Sequence, residues 1–113
     1  MEVNYKLDKI KELAAGDEGF VVAIASAFLE EVPEAVIQMG KGLAEKDFQK
    51  VYQNAHKIKP TIQLFDIPVY NDVIVLQDWG KFEQEEKNVL PTFERVSIVV
   101  KNVVTELKSD FKL

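Results

Sequence analysis

Cysteine is absent from this 113-residue chain, which excludes a disulfide scaffold, a thiolate zinc site and a cysteine nucleophile together. Histidine occurs once, at position 56, so a metal centre built on several imidazoles is excluded as well. Four prolines and five glycines leave no linker-like or low-complexity tract. No repeat is visible, and residues 1–113 are read as one domain. Apolar runs are a few residues long, against the roughly 20 needed to span a bilayer. The opening MEVNYKLDKI carries charge where a secretory signal needs an unbroken apolar stretch. Basic residues are the minority, 14 against 19 acids for a net charge of -5. Neither nucleic acid nor a membrane is therefore the first partner to expect. With 47% hydrophobic residues, what is left is a cytoplasmic, soluble domain with a single core.

The apolar residues recur at helical spacing. Leu7, Ile10 and Leu13 mark a short helix that Gly16 can end. Asp17 offers the next N-cap, with Glu18 in the positive first turn. Phe20, Val21, Ile24, Phe28 and Leu29 follow as far as Pro33, where proline predicts a new start or a sharp bend. Val36, Ile37, Met39 and Leu43 continue the pattern beyond it. Asp47 caps a long helix striped by Phe48, Val51, Tyr52, Ala55, Ile58, Ile62 and Phe65. Asp66-Ile67-Pro68 breaks the chain before a helix over about 68–82, and the last helix starts near Pro91. Two stretches, 69–76 and 96–105, are rich in β-branched residues that favour strands. Helix is still the better fit there, because Lys101-Asn102 suits a 3.6-residue period and no Asn-Gly or Asp-Gly hairpin turn occurs. The expected fold is all-α, an antiparallel four-helix bundle with a short extra N-terminal helix. Trp79 is expected to pack at the end of the bundle, with Phe82 nearby.

His56 lies in the middle of the best-defined helix. At about 100° per residue it stands roughly 130° from the centre of the apolar stripe, and Lys59 and Gln63 fall on the same polar ridge. Residues 41–60 hold five lysines against two acids, whereas residues 8–34 hold two lysines against seven acids. Positive charge thus gathers around the histidine, as suits a site that tolerates an added phosphoryl group. Other uses of a lone histidine find no support. A nucleophile elbow with its glycines is missing, and Gln53 stands where a bundle metal site would carry the Glu of a Glu-x-x-His pair. No glycine-rich phosphate cradle is present, so ATP is not an expected ligand and no kinase or other enzyme activity is expected. A neutral imidazole can, however, take a phosphoryl group from an acyl phosphate while an ammonium balances the charge.

The segment Ala55-His56-Lys57-Ile58-Lys59 resembles the central motif of histidine-containing phosphotransfer (HPt) domains, which reads Ala-His-x-Leu/Ile-Lys-Gly. The upstream stretch LDKIKELAAGDEGFVVAIASAFLEEVPEAV is similar to that family's N-terminal half, where Gly-Asp-x-x-Phe/Leu precedes a helix ending in Phe-Leu-Glu-Glu-x-Pro. The likeness covers residues 7–82. It implies a phosphorelay intermediate in two-component signal transduction. His56 would be the phosphoacceptor, taking a phosphoryl group from a receiver-domain aspartyl phosphate and passing it to another receiver. Lys59 would stabilise the phosphate. Gln63 on the ridge, Gln77 or Asp78 on the following helix, and a docking surface including Tyr52, Lys57 and Pro60 would complete the site. The implied partners are response-regulator receivers and a hybrid sensor histidine kinase. The chain itself would need no cofactor, with Mg²⁺ only on the receiver.

Two residues depart from the family pattern. Pro60 replaces a glycine that keeps the surface low for the receiver. Proline cannot donate the amide bond to the His56 carbonyl, and inside a helix it costs about 3 kcal/mol; a kink at His56–Pro60 is predicted. Asp66 stands near the helix end where glycine is usual. Pro60 leaves two readings open, a competent phosphocarrier and a receiver-binding module with weak or no transfer.

Overall fold

The computed structural model describes residues 4–113. Those residues form five helices and no strand: α1 (Asp8–Ala14), α2 (Glu18–Glu45), α3 (Phe48–Leu64), α4 (Tyr70–Lys81) and α5 (Leu90–Phe111). The all-α expectation holds, including over both β-branched stretches. There, Val73, Val96, Val100 and Val103 are fully or almost fully buried, and packing of an apolar face outweighs intrinsic strand preference.

Local chemistry sets the helix ends. Asp17 accepts from the Phe20 amide at 3.1 Å and Asp47 from the Lys50 amide at 3.1 Å, so both expected N-caps form. Pro91 sits in the first turn of α5, where its missing amide costs nothing. The turn after α3 places Asp66 at φ 50°, in the left-handed region that favours glycine but admits aspartate. Asp66 is also tied to α1 by an ion pair with Lys9 at 2.9 Å.

Of the two outcomes expected at Pro33, a new start or a sharp bend, the first is corrected by the structure. No new helix starts there, and α2 runs unbroken from Glu18 to Glu45 with Pro33 inside it. The lost backbone bond costs about 3 kcal/mol. It is offset because Val21, Ala25, Phe28, Val32, Ala35, Val36 and Met39 all reach the core from one continuous helix, each large side chain contributing about 1.5–3 kcal/mol. Of 28 residues, α2 spans about 42 Å, close to the 47 Å long dimension of the molecule. Three residues assigned to apolar stripes face outward instead: Leu13 is 66%, Ile37 53% and Phe20 39% exposed.

The core draws on every helix and on the N-terminal segment, with Phe28, Met39, Ile58, Ile62, Phe65, Leu76 and Leu107 buried. Helix α2 packs on α1, α3 and α5, and α4 packs on α3 and α5. The segment before α1 is pinned across one end. The Lys6 amide donates to the Phe65 carbonyl at 2.7 Å, the Tyr5 hydroxyl bonds Asp110, and Asn4 bonds Glu106. Arg95 of α5 grips Asp72 of α4 with two bonds of 3.0 and 2.6 Å, and that carboxylate raises the guanidinium pKa further. Trp79 is buried as expected and its indole N–H donates to the Lys87 carbonyl at 3.2 Å; Phe82 is exposed. Among the described residues no helix is long and apolar enough to cross a membrane.

Candidate functional site

Helix α3 owes its position to close backbone approach on two sides. A Cβ on Gly42 of α2 would lie 2.7 Å from a Val51 methyl and 3.2 Å from the Asp47 carbonyl. A Cβ on Gly80 of α4 would lie 2.5 Å from the Phe48 carbonyl and 2.7 Å from the Tyr52 nitrogen. At Gly80 the obstructing atoms are backbone, and only glycine admits contacts this short; at Gly42 the one contact below 3 Å is to a side-chain methyl. The buried stripe of α3, Val51, Ala55, Ile58 and Ile62, then turns the opposite ridge to solvent. On that ridge His56 is exposed, as are Lys57, Pro60 and Gln63, and Lys59 is half-buried. Lys59 lies about 70° from the stripe centre on the helical wheel, at the margin of the apolar face, in keeping with its half-burial.

Three of the predicted residues meet at the imidazole. Gln77 of α4 is almost fully buried, and its Oε1 lies 3.1 Å from His56 Nδ1. With the amide placed oxygen-first toward the ring, this bond requires a proton on Nδ1, and in a neutral ring that tautomer leaves the lone pair on Nε2. Tyr52, one turn before His56, is half-buried and stacks on the imidazole with centroids 5.7 Å apart and planes 23° apart. The ring is therefore held on one face by an aromatic plane and at one nitrogen by a buried amide. Its other nitrogen makes no hydrogen bond among the described residues. Of the two candidates on α4, Gln77 is the one bonded to His56.

The remaining predicted residues share the ridge without bonding to the ring. No carboxylate lies within ion-pair distance of Lys57 or Lys59 among the described residues, whereas Lys46 and Lys50 are neutralised by Glu85 and Glu45, each at 3.1 Å. The positive charge of this region thus concentrates beside His56. The Gln63 side chain is exposed and makes no hydrogen bond among the described residues, while its backbone carbonyl accepts from Lys9 at 3.3 Å. Helix α3 continues through Pro60 to Leu64, so any bend there does not end the helix. The amide that would bond the His56 carbonyl is missing for covalent reasons alone.

Two contributors escaped the sequence reading. Lys9 brings a cation from α1 to the Gln63 end of the ridge, a contact that only the tertiary fold creates. Gly80 had a weak signal, a lone glycine inside an otherwise helical pattern. Comparison with protein-family models, curated proteins and solved structures finds no match to this chain.

Proposed function

We propose that the chain is a phosphorelay intermediate of the histidine-containing phosphotransfer type, with α2–α5 as an antiparallel four-helix bundle and α1 as an N-terminal addition. The single observation that carries this reading is the polarised imidazole. His56 is exposed, its Nδ1–H is engaged by Gln77, and its Nε2 is free to act as a nucleophile. The resemblance around His56 and Lys59 supplies the reaction class.

The chemistry asks little of this domain. The Nε2 lone pair attacks the phosphorus of an aspartyl phosphate on a receiver, the bond from phosphorus to the acyl oxygen breaks, and the carboxylate leaves on the receiver. The imidazole becomes cationic and keeps its Nδ1 proton against Gln77. Lys59, with no carboxylate to neutralise it, balances the phosphoryl charge, more strongly once docking excludes water. Transfer to a second receiver is the reverse step. Mg²⁺ belongs to the receiver, not to this chain. Lys57, Pro60, Tyr52 and Gln63 form the docking surface around the ring. The partners are response-regulator receivers fed by a hybrid sensor histidine kinase, in the cytoplasm.

Incubation with a phosphorylated receiver tests the reading. The expected product is an acid-labile, base-stable phosphoprotein that does not form with His56→Gln. The other reading, a docking module without transfer, has Pro60 in its favour. It is distinguished by receiver binding that survives His56→Ala with no label on the native chain.

A further inference from the structure

Helices α3 and α4 touch at two successive rungs. At one, the Gly80 backbone lies on Phe48 and Tyr52; at the next, Gln77 meets His56. Position 77 precedes 80 by three residues, about 4.5 Å along α4, and position 56 follows 52 by four, about 6 Å along α3. The numbering rises on one helix as it falls on the other, so the helices run antiparallel here and one interhelical distance governs both rungs. We propose that Gly80 is a positioning residue for the His56 imidazole. Its missing side chain sets the spacing at which Gln77 reaches Nδ1, and through that bond it decides which ring nitrogen is bare.

The geometry gives the size of the effect. The atoms that a Cβ at position 80 would strike first are the Phe48 carbonyl oxygen and the Tyr52 nitrogen, both backbone and both inside a helix. Neither can rotate away as a side-chain end could. The helices must open by roughly 1 Å before that contact becomes an ordinary one. Carried one turn along α4, this lengthens the 3.1 Å contact to about 4 Å, outside hydrogen-bonding range. No other hydrogen bond to Nδ1 is present among the described residues, so the ring is released to exchange its proton between the two nitrogens.

Gly42 supplies the control. It also faces α3, about 100° round the helix, where a Cβ would lie 2.7 Å from a Val51 methyl and no nearer than 3.2 Å to backbone; a methyl there presses on the α2–α3 contact and not on α4. The proposal rests on the phosphoacceptor reading only for what the bare nitrogen does, because the tautomer itself exists without any phosphoryl donor.

Long-range ¹H–¹⁵N correlation spectra of the full chain read the tautomer directly, and the lone histidine makes the assignment unambiguous. At a pH where the ring is neutral, the native chain is expected to show Nδ1 protonated and Nε2 bare. Gly80→Ala and Gln77→Leu are both expected to replace that pattern with an exchange-averaged one, while Gly42→Ala keeps the native pattern. The proposal is overturned by a folded Gly80→Ala chain with the native pattern, by Gly42→Ala losing it, or by Gln77→Leu keeping it. A Gly80→Ala chain that fails to fold even in sucrose, which strengthens burial, overturns it too, because Gly80 then serves stability at large. No phosphoryl donor enters these spectra, so their outcome is independent of whether His56 is phosphorylated.

Discussion

Gln77, almost fully buried on α4, and His56, exposed on α3, meet at 3.1 Å between Oε1 and Nδ1. A buried acceptor thus orients a surface ring. Removing it is expected to affect reactivity more than stability. Gln77→Leu keeps the buried volume and is expected to stay within about 1 kcal/mol of the native chain in urea unfolding. Its rate of phosphorylation from a phosphorylated receiver is expected to fall roughly fivefold, the equivalent of one lost hydrogen bond. A rate equal to the native one would show that the amide does not orient the nucleophile.

Lys59 is half-buried with no carboxylate to neutralise it. Lys59→Ala is expected to shorten the lifetime of the phosphohistidine and slow its formation, while the melting curve changes by less than about 1 kcal/mol. Lys59→Arg keeps the charge and is expected to lose less. Added salt should narrow the difference between Lys59→Ala and the native chain in the free protein, where the site is open to screening. An unchanged lifetime in Lys59→Ala would remove the lysine from the site.

Pro60 denies α3 one backbone bond at the reactive residue. Pro60→Ala restores the amide, worth about 3 kcal/mol in a helix interior, and gives back up to about 1 kcal/mol of unfolded-chain entropy. The expected result is a net gain of about 2 kcal/mol in urea unfolding. Pro60→Gly separates the two functional readings. A carrier that tolerates its proline transfers at nearly the native rate with glycine there, whereas a module crippled by proline gains transfer.

Much of this fold is legible in the chain itself, because its signals are local. Asp17 and Asp47 announce their caps, Pro91 announces a first turn, and the α3 stripe from Val51 to Ile62 announces a buried face. Pro33 misleads for a physical reason. A local rule puts a break there, but the burial gained by continuing α2 from Val32 to Met39 is not visible within one turn of the proline. Leu13 and Ile37 mislead similarly, since periodicity shows which residues share a face and not how far the neighbouring helices extend over it. At the site, His56, Lys59 and Gln63 share a ridge that the helical period alone predicts. The bond from Gln77 depends on the distance between two helices, which Gly80 sets. That distance leaves no periodic trace in the sequence.

The claim that His56 accepts a phosphoryl group on Nε2 is tested most directly without any cognate partner. The chain is treated with phosphoramidate, a small donor to imidazole nitrogen, and followed by ³¹P and ¹⁵N spectroscopy. A single phosphohistidine with phosphorus on Nε2 and the proton retained on Nδ1, absent in His56→Gln, is the predicted result. Phosphorus on Nδ1, a label that persists in His56→Gln, or an imidazole that stays unmodified would contradict it.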